Sequence, residues 1–252
     1  ACGSAKLFFS GMGTQRVELE LQGFYPGVNI LRMDADTTAG KHGHHRILEE
    51  FSTGRYPILI GTQMVTKGLD FGNVGLVGIM NADTLLNFPH FRAHERCFQL
   101  LTQVAGRAGR KDFRGLVLVQ SFNPYHQILK QVSTGDYSGM YQEQLYEREQ
   151  FRYPPLVRLI KITLRHREWN RVEEGAAWFA KSMRMVFGQH VLGPEYPPVA
   201  RIRNQYHKQI LLKIPMGQPL PQTKNNIKRI EQSFNAISQY RSIRLIYNVD
   251  YI

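Results

Sequence analysis

Residues 103–110 read Gln103-Val104-Ala105-Gly106-Arg107-Ala108-Gly109-Arg110, and an earlier stretch, 61–71, reads Gly61-Thr62-Gln63-Met64-Val65-Thr66-Lys67-Gly68-Leu69-Asp70-Phe71. In the first stretch two arginines stand three apart at the end of a helical pattern and can aim two guanidinium forks at one anion. Planar guanidinium donors match phosphate oxygens better than a lysine ammonium does. Gly106 and Gly109 beside them let backbone approach backbone closely. An arginine pair at a helix C-terminus can also do no more than complement the helix dipole. The second stretch follows the apolar run Ile58-Leu59-Ile60. It therefore lies at the carboxyl edge where open α/β sheets bind ligands.

Working outward, short apolar runs alternate with helical patterns. Val28–Met33, Tyr56–Ile60, Val74–Met80 and Leu116–Phe122 read as strands. Gln15–Gln22, Gly43–Phe51, Arg92–Gly106 and Tyr125–Val132 read as helices. Near-continuous apolar strands separated by helices imply a parallel sheet covered on both faces, so residues 1–135 read as one α/β lobe of the nucleotide-motor type. Ser133-Thr134-Gly135-Asp136 is a helix stop, and residues 136–152 form a polar connecting helix that Tyr153-Pro154-Pro155 ends. A residue before proline is pushed out of helical geometry. In residues 153–252 the order is strand (Leu159–Leu164), helix (Arg171–Phe187), a segment near Val191–Ile202 with a non-regular turn at Gly193-Pro194…Pro197-Pro198, strand (Gln209–Ile214), helix (Thr223–Tyr240) and strand (Ser242–Val249). A βαββαβ order implies a smaller α+β domain of the ferredoxin-like kind.

Composition narrows the partners. The formal net charge is +12, with +4 from residues 1–135 and +8 from residues 136–252. That bias favours polyanions, nucleic acid ahead of membrane. No apolar run approaches the roughly 20 residues a membrane span requires. The 2 cysteines are too few for a disulfide framework and indicate a reducing compartment. Cys97 reads as a small core residue. Ala1-Cys2-Gly3-Ser4 opens as if cut from a longer polypeptide, and Cys2 has the look of a last zinc ligand. One thiolate cannot build a tetrahedral site, so no metal is expected in this chain.

Thr38-Ala39-Gly40-Lys41-His42 contains Gly-Lys, but Ala35 stands where a P-loop needs its first glycine, and His42 where Ser or Thr would meet magnesium. No acidic metal box accompanies it. His42, His44 and His45 read as a solvated helix start. The half that holds a nucleotide's phosphates and magnesium is thus expected elsewhere.

The segments 61–71 and 103–110 resemble the fifth and sixth motifs of the superfamily 2 helicases, in their second, RecA-like motor lobe. Further runs sharpen the resemblance: Gly11-x-Gly13-Thr14-x-Arg16-Val17-Glu18, Met33-Asp34-x-Asp36-Thr37-Thr38, Asn81-Ala82-Asp83 through Asn87-Phe88-Pro89, Phe91-Arg92-Ala93-x-Glu95-Arg96 and Phe98–Gln103. Together they resemble the PriA family of bacterial replication-restart helicases. The likeness is strong over residues 2 to about 125 and looser to the end, through Tyr153-Pro154-Pro155, Gly193-Pro194, Tyr206, Gln209–Lys213 and Asn248-Val249-Asp250. The sequence departs from the family's commoner residues at His94, Cys97 and His207.

The resemblance implies an ATP-dependent 3′-to-5′ DNA helicase that recognises stalled or branched forks and rebuilds the primosome. It implies Arg107, Arg110 and Gln103 as candidate catalytic residues and Gly68, Asp70 and Gly106 as candidate ATP-binding residues. Thr62, Gln63 and Lys67 become candidate DNA contacts. Implied cofactors are ATP and Mg2+, held mainly by another lobe, and Zn2+ bound only by the full-length protein, with Cys2 its final ligand. Implied partners are branched and single-stranded DNA, single-strand DNA-binding protein and other primosome proteins, with no membrane, in a nucleoid-associated cytoplasmic setting. The chain alone should not turn over ATP. Two other classes fit parts of the same sequence: a DNA- or protein-binding scaffold, favoured by the charge of residues 136–252, and a different superfamily 2 translocase.

Overall fold

The computed structural model describes residues 13–38, 43–62, 74–109 and 115–250. The chain divides into two compact units, Ala1–Met140 and Tyr141–Ile252.

The first unit is built from parallel strand pairs and helices. Helix α1 (Thr14–Phe24) precedes strand β1 (Ile30–Met33), helix α2 (Gly43–Ser52) and strand β2 (Ile58–Gly61). β1 pairs in parallel with β2, Ile30 opposite Ile58 through Met33 opposite Gly61. Next come strand β3 (Leu76–Ile79), a one-turn helix α3 (Asp83–Leu86), helix α4 (Ala93–Ala105), strand β4 (Leu116–Val119) and helix α5 (Gln127–Thr134). β3 pairs in parallel with β4. Among the described residues these are two separate two-stranded parallel sheets.

Helix α4 carries Ala93, Cys97, Phe98 and Leu101 on its buried side. Spacings of four, one and three keep those residues on one apolar stripe. They pack with Leu86, Ile128 and Met140 into the core of this unit. Cys97 is wholly buried there, and burial, helped by the charge of Asp83, pushes its thiol pKa up to about 11. Helix α5 is capped by His126, whose Nδ1 accepts the Ile128 N–H at 3.2 Å, and ends on Gly135 at φ +69°. That left-handed cap, which glycine adopts without strain, is the expected stop. His94 lies edge-on to His126, ring centroids 5.2 Å apart. The two unusual residues of α4 therefore act in packing.

Helix α6 (Tyr137–Phe151) leads to the second unit, an antiparallel sheet with helices on one side. The elements are strand β5 (Val157–His166), helix α7 (Trp169–Phe187), strand β6 (Val191–Glu195), the two-residue strand β7 (Arg201–Ile202), strand β8 (Gln205–Pro215), helix α8 (Leu220–Ala236) and strand β9 (Arg244–Val249). The sheet order is β6-β8-β5-β9, with β7 on β8. Ile160, Ile162 and Leu164 of β5 and Ile210, Leu212 and Ile214 of β8 alternate onto the face that meets Ala176, Phe179, Ala180 and Met183 of α7 and Ile227, Ile230 and Phe234 of α8. Phe234 stacks on Tyr240 with centroids 5.1 Å apart and meets Phe179 edge-on at 5.3 Å. Helix α8 departs from the sequence expectation at both ends. α8 begins three residues early because Pro221 suits a first helical turn, and it stops at Ala236, where Ile237 takes an extended conformation (φ −79°, ψ 115°).

Candidate functional site

The arginine-bearing segment forms a turn that closes α4. The Gly106 N–H donates to Thr102 O at 3.0 Å, Arg107 N–H to Val104 O at 3.0 Å and Ala108 N–H to Ala105 O at 3.1 Å. The chain then leaves the helix through Gly109 at φ +83°, a left-handed conformation that costs a residue with Cβ about 1–2 kcal/mol. The Gly109 N–H bonds Val74 O at 3.0 Å, and Leu116 N–H bonds Gly75 O at 2.9 Å. The turn is thus pinned to the approach of β3, to which the start of β4 is also bonded. It is also pressed on Gly115, where a Cβ would lie 2.3 Å from Ala108 C and Gly109 N. Gly106 is less constrained: a Cβ there would meet nothing closer than Thr102 O at 3.5 Å. The close backbone approach expected of this motif therefore belongs to Gly109 and Gly115. On this turn Gln103 and Gly106 are exposed and Arg107 is half-buried.

Thr62 is exposed and follows β2, so it stands at the carboxyl end of the other strand pair. Gln103, Gly106 and Arg107 share one helix end, whereas Thr62 belongs to a different sheet. Gln63, Lys67, Gly68, Asp70, Arg110 and Cys2 lie outside the described residues, as do Gly40, Lys41 and His42.

Thr14 and Asp34 belong to runs that carry the family resemblance, but the sequence alone gives neither a role. The structure joins them: Thr14 Oγ1 donates to Asp34 Oδ2 at 2.6 Å, tying the start of α1 to the end of β1. Asp34 is buried, accepts the backbone N–H groups of Asp36 (3.1 Å) and Thr37 (3.0 Å) on Oδ1, and lies 2.8 Å from Arg32. Arg32 in turn donates to Glu18 of α1 at 2.8 Å. The Thr14 hydrogen bond leads the effects holding the Asp34 carboxyl below its ordinary value, against a burial effect that raises it. Asp83 plays the matching part at α3, accepting Ser121 Oγ and the Phe122 N–H, both at 2.9 Å, just past β4. An Asp followed two and three positions later by residues whose N–H groups it accepts is the sequence signal for such a turn.

In the second unit Glu173 of α7 receives Tyr196 Oη at 2.6 Å and Lys208 Nζ of β8, and Lys208 lies 4.6 Å from the Tyr196 ring centroid. These bonds, Lys208's first, hold the Glu173 carboxyl below its ordinary value. Lys213 is buried, donates to Phe151 O at 2.6 Å and lies over Tyr153 at 3.9 Å. It fastens the segment ahead of β5 to the sheet. Both lysines serve the fold.

The comparisons with known proteins fall into place on this geometry. Residues 7–112 match the family model described as Helicase conserved C-terminal domain, and residues 149–250 match Primosomal protein N C-terminal domain. The chain is 42% identical over 214 residues to Replication restart protein PriA of Bacillus subtilis, an alignment covering 84% of this chain and 27% of that relative. It is 39% identical over 216 residues to the protein of the same name in Synechocystis, covering 85% and 26%. With that of Haemophilus influenzae it shares 36% over 253 residues, covering 99% and 34%. The chain belongs to the PriA family and corresponds to a C-terminal part of the replication restart protein, spanning between a quarter and a third of these relatives' length.

Proposed function

We propose that the chain supplies the second motor lobe and the carboxy-terminal domain of an ATP-dependent 3′-to-5′ DNA helicase that restarts replication at stalled or branched forks. The observation that carries this reading is the turn after α4. Arg107 stands on a turn tied by the Gly109 N–H to Val74 O, just ahead of β3, at a helix end where a guanidinium can be presented without reorganisation. The parallel pairing in the first unit supports a RecA-like lobe, and the β6-β8-β5-β9 antiparallel order with helices on one side supports a ferredoxin-like second domain. In this reading the units are a motor lobe over 1–135, a connecting helix over 136–152 and a DNA- and partner-binding terminal domain over 153–252.

The donor set suits a triphosphate's outer oxygens. Arg107 and Arg110 would steady charge developing there, as arginine fingers do, with Gln103 beside them. Gly68, Asp70 and Gly106 would line the nucleotide, and Thr62, Gln63 and Lys67 would hold one DNA strand. ATP supplies the phosphoryl group whose hydrolysis changes closure between lobes. Among the described residues no three His, Cys, Asp or Glu side chains are gathered for a metal; Mg2+ and Zn2+ would be bound by other parts of the whole protein, with Cys2 as a last zinc ligand. Single-strand DNA-binding protein and primosome proteins are the partners that fit this role, in the cytoplasm at the nucleoid. Among the described residues no helix is long and apolar enough to cross a membrane.

Substituting Arg107→Ala or Arg110→Ala in the full-length protein should abolish most DNA-stimulated ATP hydrolysis while leaving DNA affinity in place. Unchanged hydrolysis would instead favour a passive scaffold, the reading that the +8 charge of residues 136–252 supports. The chain by itself should release no phosphate from ATP in a colorimetric assay. Competition between forked DNA and duplex RNA separates this helicase from a translocase on RNA.

A further inference from the structure

In the second unit, Arg165 of β5 stands directly opposite His207 of β8 on one side and Arg244 of β9 on the other. Their neighbours along the strands, Leu164 and Leu245, pack into the core against the helices. Successive side chains in a strand point to opposite faces. The row Arg244-Arg165-His207 therefore lies on the face that α7 and α8 leave uncovered. Like charges directly opposite each other destabilise an antiparallel pair, and a sheet serving structure alone would interpose an acid. None is interposed here. Among the described residues neither Arg165 nor Arg244 forms an ion pair with an acid, and Arg165 Nε is buried with no hydrogen-bond acceptor. Glu195, the acid on this face, stands opposite Gln209 at the edge strand rather than in the row.

We propose that this row is a seat for the phosphate backbone of nucleic acid, with Arg165 and Arg244 converging on one phosphate and His207 beside them. The inference rests on the DNA-facing role proposed above for the second unit and gives that role an address. Two observations select a backbone over a small anion or a base. First, Lys161 stands on the same face four residues along β5, opposite Asn248 and Leu211. That is about 13 Å of strand, enough to reach from a first phosphate past its neighbour on the same nucleic-acid strand. Second, the positions on this face are Leu159, Lys161, Thr163 and Arg165 on β5, with their partners Lys213, Leu211, Gln209 and His207 on β8 and Asn248, Ile246 and Arg244 on β9. His207 is the one aromatic ring among these positions, so the strands offer no succession of rings for bases to stack on. Lys213 takes no part, because Phe151 O and the Tyr153 ring already engage it. The grip is electrostatic and indifferent to sequence.

The test uses the whole chain and a fluorescein-labelled forked DNA, read by anisotropy across a salt series. Arg165→Gln and Arg244→Gln should each weaken binding about tenfold and flatten the log affinity against log salt slope by about one. Lys228→Gln, on α8 and so on the helical side, should leave both unchanged. Because each substitution relieves a like-charge contact, neither arginine variant should melt below the wild type. Equal affinity for mixed-sequence and oligo-dA/dT forks completes the expected result. If the wild-type chain binds but the arginine variants bind as well as it does, the row is not the seat and the DNA role stands. If Lys228→Gln weakens binding as much, only net charge is at work and the proposal falls. If the wild-type chain binds no DNA, the DNA role of the second unit falls and takes the row with it.

Discussion

Replacing Gly115 with alanine tests how the arginine-bearing turn is held. The new Cβ would sit 2.3 Å from Ala108 C and Gly109 N and 2.7 Å from Ala108 Cβ. Ordinary carbon contacts begin near 3.5 Å, so the turn must retreat by about 1 Å, and two of the three obstructing atoms are backbone. Overpacking of this kind costs about 1–3 kcal/mol. The retreat also stretches the 3.0 Å bond from the Gly109 N–H to Val74 O, for about 1 kcal/mol more. The total is about 2–4 kcal/mol, which at about 2 kcal/mol per M of urea moves the midpoint down by 1–2 M. Gly106→Ala, with φ −65° and no contact inside 3.5 Å, should be neutral or stabilise by up to about 1 kcal/mol. Both tryptophans, Trp169 and Trp178, belong to the second unit, so tryptophan emission does not follow the first. The buried Cys97 thiol does: in a Cys2→Ser background its reaction with a chromogenic disulfide reports opening of the first unit, while Trp178 emission gives the reference transition. In the full-length protein the same displacement of Arg107 should cost roughly a hundredfold in ATP hydrolysis. Opening of Cys97 in Gly115→Ala at the wild-type urea concentration, or an equal cost for Gly106→Ala, would show that Gly115 does not hold the turn.

Asp34 makes the first unit sensitive to acid. Its folded pKa lies below the ordinary 3.8, so its contribution is fully present above that value and is lost as the pH falls through it toward the folded pKa. Asp34→Asn removes the charge facing Arg32 and should destabilise the Cys97 transition at neutral pH by about 1–3 kcal/mol, with a shallower acid loss than the wild type; parallel acid profiles would contradict the assignment. With its pKa raised to about 11, folded Cys97 should react at pH 8 only as fast as the first unit opens, and urea should speed it by orders of magnitude. Reaction at the rate of a free thiol in the native protein would show that the core is not closed.

Much of this architecture is legible in the sequence because periodicity records which face of an element is buried. The apolar runs ending at Met33 and Ile60, the stripe Ala93-Cys97-Phe98-Leu101 and the left-handed stop at Gly135 all carry their reason locally. The boundaries that slipped did so for local reasons too: Pro221 looks like a break but starts a helix, and the two-residue β7 is too short to have a period. What escaped is pairwise. Nothing in the run around residue 14 announces that Thr14 Oγ1 reaches Asp34, twenty residues on, and Gly115 carries no motif at all.

The chain's order of residues determined by itself an α/β segment with a second α+β unit, and carried the motifs by which it resembles the PriA helicases, since period and motif spacing are properties of neighbours along the backbone. Only the tertiary structure decided which glycines the arginine turn depends on, what Asp34 neutralises, and that Arg244, Arg165 and His207 meet in one row. Those facts come from strand register and chain reversal, which bring together atoms that sequence keeps far apart, and register follows from the whole sheet's packing rather than from any one strand.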